Sequence, residues 1–150
     1  MGHWGVRSYE NDDAADAIDA GLERVHGAAY EALMDDRNRL TPEQVQARLA
    51  GPETLAAAIE VLQAWAGADR LPEEWDESER LAFAGVVVRH AELGVKVQAQ
   101  WLARAIEWLV DEPIDWDEAA ARRLRRQQEI DLLCEREPGV ERCTRQRADS

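Results

Sequence analysis

The run FAGVVV, Phe83 to Val88, decides the fold of this chain. Six consecutive apolar residues fit either a short buried strand or one length of a buried helix. Two observations favour the helix. No second strand-like run exists in the sequence to pair with it, and Asp76 with Glu79 ahead of it forms a helix-start signature. A helix that is apolar over most of its circumference has no face for water, so this one is expected at the centre of a bundle.

Helical signals surround it. Asn11 to Asp13 precede Ala15, Ile18, Leu22, Val25, Ala29 and Leu33, which fall on one helical face. Thr41-Pro42-Glu43-Gln44 supplies an N-cap, a proline at the first helical position and a capping-box glutamine. Gly51-Pro52-Glu53 opens another helix, with Leu55, Ile59, Leu62 and Trp65 inward and Gly67 as its stop. Val97, Trp101, Leu102, Ile106 and Leu109 line a fifth helix, ended by Pro113. A sixth starts near Asp115 or Asp117 and runs through Leu124, Ile130 and Leu133. The turn Pro72-Glu73-Glu74-Trp75-Asp76-Glu77 recurs as Pro113-Ile114-Asp115-Trp116-Asp117-Glu118. Two copies make no solenoid, and the reading is a shared turn in which proline ends one helix, tryptophan plugs the gap and aspartate caps the next.

These signals predict an all-α, single-domain bundle of five to seven helices. Residues 1–136 form an acidic helical domain, with the N-terminal segment packed across it, and residues 137–150 form a flexible C-terminal tail.

Charge narrows the function classes. The chain carries 18 basic and 31 acidic residues, a formal net charge of −13. Residues 119–150 hold eight basic and six acidic residues, which leaves ten against 25, or −15, for residues 1–118. Such a body repels phosphate backbones, so no nucleic-acid partner is expected, and a basic protein partner suits it. No apolar run reaches the ~20 residues of a membrane span. Nothing at the N-terminus reads as a secretion signal, and Cys134 and Cys143 form no CxxC pair. Two free thiols and a cytoplasmic location are the expectation.

Specific catalytic motifs are absent, and no catalytic residue, metal ligand or cofactor is assigned. Asp12, Asp16, Asp19 and Glu23 share one narrow helical stripe at ~100° per residue. The helix dipole favours Asp12 and Asp13, but it fades after the first turn. No Lys or Arg lies on the stripe to relieve the rest. The stripe is therefore the candidate binding surface. A metal-assisted enzyme using Glu10, Asp12, Asp13 and Asp16 with His26 is one alternative, and a helical scaffold using exposed Trp at the Pro-x-x-Trp-Asp turns is another. Glu23-x-x-His26 has no second copy, His90 reads as a core histidine, and Arg122 to Arg126 read as internal partners of the acidic body.

The start, Met1-Gly2-His3-Trp4-Gly5 followed by Glu10-Asn11-Asp12-Asp13-Ala14-x-Asp16, resembles a bacterial family called domain of unknown function 4259. The match covers about the first 16 residues. The helix Glu53 to Val61 is similar to that family's central helix, more loosely. The resemblance implies a small, cytosolic, helical bacterial protein, with an immunity-like role as a weak prior and no catalytic role. Gly2, Trp4, Gly5, Glu10, Asn11 and Asp13 are then a structural N-terminal motif, with Trp4 buried between two glycine turns.

Overall fold

Three of the helices begin where a side-chain oxygen meets a free N–H of the first turn: Asn11 accepts from Ala14, Thr41 from Gln44 and Asp76 from Glu79. The computed structural model describes Tyr9, residues 11–35, Arg37, and residues 39–67, 69–111 and 119–136. Those residues hold seven α-helices and no strand. They are α1 (Asp12–His26), α2 (Ala28–Met34), α3 (Pro42–Leu49), α4 (Pro52–Ala66), α5 (Glu77–Glu92), α6 (Ala99–Asp111) and α7 (Ala119–Arg136). The reciprocal caps at Thr41 with Gln44 and at Asp76 with Glu79 both form, at 2.8–3.2 Å. Each cap of this kind contributes about 1 kcal/mol.

The run Phe83–Val88 is helical and wholly buried within α5. This helix packs against α1, α4, α6 and α7, so from Leu81 to Val88 it has no outer face. Phe83 meets Trp108 edge-on at 5.2 Å and Trp75 at 6.2 Å, while Trp75 and Trp108 lie 5.7 Å apart. Trp75 does plug the gap between helices, and Asp76 does cap α5. The gap opens differently, however: α4 stops at Gly67 (φ +115°), and Pro72 begins a single 3-10 turn over Pro72–Glu74. The second copy of this turn lies outside the described residues, as do residues 137–150.

Four expectations need correction. The first predicted helix is two helices, because Gly27 takes φ +49° and its N–H closes onto the Glu23 carbonyl at 2.8 Å. The buried face of α1 is also rotated. It runs Ala14, Ala17, Ile18, Gly21 and Leu22, and leaves Val25 exposed. Trp65, expected inward, is 55% exposed. Finally, Cys134 is disulfide-bonded rather than free, while Cys143 lies outside the described residues. That removes the free-thiol argument for the cytoplasm. Among the described residues no helix is long and apolar enough to cross a membrane.

Small side chains explain the rotation of α1. Ala14, Ala17 and Ala58 are fully buried, and Gly21 faces the backbone of α4. A Cβ at Gly21 would lie 2.7 Å from the Thr54 carbonyl oxygen and 3.0 Å from the Ala58 nitrogen. Thr54 also reaches α5. The His90 ring, 1% exposed, donates from Nδ1 to the Val86 carbonyl at 2.9 Å, so its Nε2 is an acceptor. The Thr54 hydroxyl lies 3.0 Å from that Nε2 and 2.9 Å from the Gly51 carbonyl. An unprotonated Nε2 can only accept, so the bond between the two is made by the hydroxyl proton, while the Gly51 carbonyl keeps the Leu55 N–H at 3.1 Å. His90 is the core histidine the sequence implied, with two partners.

The helix C-termini carry basic caps from elsewhere in the chain. His26 donates to the Leu49 carbonyl ending α3 (2.7 Å), Arg70 to Ala66 ending α4 (3.0 Å), Arg136 to Ala91 in the last turn of α5 (2.7 Å), and Arg126 to Leu109 in the last turn of α6 (3.2 Å). A helix end exposes unpaired carbonyls and a partial negative charge, so a cation satisfies both demands at once. Arg125, Arg126 and Arg136 of α7 thus serve the fold, the first two as their intramolecular reading implied. Arg125 pairs with Glu92, and Arg126 lies 3.8 Å from Glu129 with both side chains buried.

Two measurements test this packing. Replacing Gly21 with alanine gains up to about 1 kcal/mol of helix propensity. The clash is with backbone, however, so overpacking dominates and Gly21→Ala should lose about 1–3 kcal/mol in urea unfolding. Unchanged or increased stability would refute the close approach. For His90, burial first and the Arg89 charge second hold the imidazole below its ordinary pKa, against the pull of the Val86 carbonyl. The fold holds the neutral ring, so the contribution is complete above the unfolded value of about 6.5 and is lost as pH falls below it. Wild type should therefore lose more stability than His90→Gln between about pH 7.5 and pH 5. Parallel profiles would count against a buried neutral imidazole.

Candidate functional site

The candidate surface begins at the cap of α1. Asn11 is buried, and its Oδ1 accepts the Ala14 N–H at 2.9 Å. Asp12 and Asp13 follow in the first turn, where the helix dipole favours a negative charge. Gly2, Trp4, Gly5 and Glu10 of the N-terminal motif lie outside the described residues. Tyr9 is the described residue ahead of the cap. It packs on the core with the Arg89 guanidinium 5.5 Å over its ring.

Packing against α4 and α5 fixes which way α1 faces. With Ala14, Ala17, Gly21 and Leu22 turned inward, Asp12, Asp16, Asp19 and Glu23 are all turned outward and exposed. The structure therefore brings the four predicted stripe residues onto one face. Among the described residues only the Asp19 side chain of the four has a partner, the hydroxyl of Tyr30, which reaches back from α2 across the Gly27 break and donates to Oδ1. Partial burial, then repulsion from Glu23 and Asp16, holds the Asp19 carboxyl above its ordinary pKa. The nearby cation Arg24 turns to Glu60 on α4, at 3.4 Å. Among the described residues no cation pairs with Asp12, Asp16 or Glu23.

The metal-assisted arrangement does not assemble among its described members. At 1.5 Å rise per residue, His26 lies about 15 Å along the helix from Asp16. Its Nε2 is also committed to the Leu49 carbonyl. No group of three or more His, Cys, Asp or Glu able to hold a metal exists among the described residues. The exposed-tryptophan scaffold loses Trp75, which is 6% exposed; Trp116 lies outside the described residues.

Sequence reading missed a second feature beside the stripe. Asp13 is one residue, hence about 100°, round the helix from Asp12, and it lines a groove with Trp65, Trp75, Asp76, Ser78 and Glu79. Trp65 was assigned to the core on helical spacing alone. It stands in the last turn of α4 at the mouth of this groove, where it is 55% exposed.

The arrangement is that of an all-α bundle presenting an acidic helix face on which, among the described residues, no cation pairs with Asp12, Asp16 or Glu23. No protein-family model, curated protein or solved structure matches the chain.

The stripe makes one stability prediction. A carboxyl whose folded pKa is raised imposes a penalty that is full above that pKa and vanishes as the group protonates on acidification. An asparagine keeps the acceptor for Tyr30 and removes the charge. Asp19→Asn should gain about 0.5 kcal/mol at pH 7, from two relieved repulsions on a partly screened surface. The gain should shrink as pH falls through the carboxylate range. Loss of stability at pH 7 would show that the Tyr30 bond outweighs the repulsion.

Proposed function

We propose that this chain is a non-catalytic acidic binding protein, immunity-like in role, and that the α1 face Asp12, Asp16, Asp19 and Glu23 engages a basic protein partner. One observation carries the reading: these carboxylates are exposed and held on one rigid face, and among the described residues no cation pairs with three of them. Like charges three and four residues apart cost a few tenths of a kcal/mol per pair. A basic surface laid along the stripe removes that cost and gains attraction.

The net charge of −13 supports the same reading, because an acidic protein draws a basic one into encounter. The likeness of residues 1–16 to the domain of unknown function 4259 family belongs to this proposal as well. It adds a bacterial, cytoplasmic setting to a surface the structure supplies independently.

The test is capture from native cell extract at low and high salt, followed by affinity measurement on the purified partner. Binding should weaken at least tenfold between about 50 mM and 300 mM salt, because exposed charges are screened within a Debye length. The triple variant Asp12→Asn, Asp16→Asn, Glu23→Gln should weaken it by a similar factor at low salt. Salt-insensitive binding, or a triple variant that binds as tightly as wild type, would overturn the proposal.

A further inference from the structure

We infer that the groove beside the stripe is a pocket for one arginine side chain of the basic partner, with Trp65 as the stacking surface and Asp13 as its acid. The inference rests on the reading of the protein as an acidic binding module, and it names the group that is recognised. Three elements meet at the groove: the first turn of α1, the last turn of α4 and the first turn of α5. Its walls are apolar, from Leu62, Ala66 and the two indoles, and its rim carries Asp13, Asp76 and Glu79.

Size restricts the occupant. The cavity measures about 220 Å³. Sites for whole small molecules usually run about 300–1,000 Å³, so this one suits a single side chain.

Charge identifies the side chain. Of the three carboxylates, Glu79 is paired with Arg70 at 3.0 Å, and Asp76 caps α5. The N-termini of α1 and α5 each add about half a positive charge. Roughly one negative charge remains, centred on Asp13, and it matches one monovalent cation. A planar guanidinium stacks on an indole and still donates to a carboxylate, which an ammonium does less well. The chain already makes this contact internally, where Arg80 and Arg104 each lie 5.7 Å over Trp108.

Two further observations point to an occupant. Trp65 leaves more than half of a large indole in water at the groove, where packing alone gives it no role. Trp75, only 6% exposed, forms part of the wall, and its buried indole N–H has no hydrogen-bond partner among the described residues.

The probe is an octa-arginine peptide at low salt, with affinity from titration and contacts from the indole N–H resonances of the six tryptophans. Trp65→Phe and Trp75→Phe assign two of those resonances. We expect both to move on titration. Trp65→Ala and Asp13→Asn, both at exposed sites, should each weaken binding about two- to fivefold, with a cooperative thermal unfolding retained. If the peptide binds and stripe variants weaken it, but neither indole moves or the groove variants bind as wild type, the pocket falls and the acidic-face reading stands. If groove variants weaken binding and stripe variants do not, the pocket stands and the acidic face falls. No binding at low salt overturns both.

Discussion

The contact between Gly21 and the backbone of α4 sets the geometry of the whole molecule. A helix pair usually stands 8–10 Å apart, at a distance fixed by the side chains between them. Here the Thr54 carbonyl and the Ala58 nitrogen occupy the space a Cβ would need, and the alanines above and below are fully buried. Thr54 then turns its hydroxyl to His90 on α5. One residue thus ties α1, α4 and the central helix together. Because α1 is held on its smallest side chains, it has little freedom to roll, and its outward carboxylates are fixed as a row.

The distribution of positive charge follows from the same economy of packing. Seven helices present seven C-termini, and several face other helices rather than water. The carbonyls ending α3, α4, α5 and α6 receive His26, Arg70, Arg136 and Arg126. Arg89 and Arg125 are held by Glu92, and Arg89 also donates to Gln46. Cations committed in this way are unavailable to α1. Among the described residues none of them, nor any other cation, pairs with Asp12, Asp16 or Glu23.

Local chemistry was legible in the sequence, and distant contacts were not. The caps at Thr41 and Asp76, the stop at Gly67 and the central helix around Phe83 each depend on residues within a few positions of one another, so spacing revealed them. The face of α1 was misjudged because periodicity weighs large apolar residues. It chose Ala15 and Val25, while the packing uses Ala14, Ala17 and Gly21, whose merit is that they are small. Gly27 was read through as helix, since glycine is tolerated there unless φ turns positive. Thr54 and His90 are 36 residues apart, and no local rule pairs them. The stripe itself was legible because a surface row depends only on the helical period. The groove beside it was not, because it is assembled from three helix ends.

Under the proposed reading, the groove and the stripe form one surface. Asp12 and Asp13 are neighbours, yet the first heads the stripe and the second enters the groove. From Asp12 to Glu23 the stripe runs 11 residues, or about 16 Å along the axis. An extended chain covers that distance in about five residues and a helix in about three turns. A partner arginine seated against Trp65 at the α1 N-terminus would fix the register of whatever basic segment lies along the remaining carboxylates. The stripe alone cannot set that register, since a regular row of like charges is nearly unchanged by a shift of one turn. Attraction along α1 and position at its end are thus separate tasks, assigned to separate residues of the same helix.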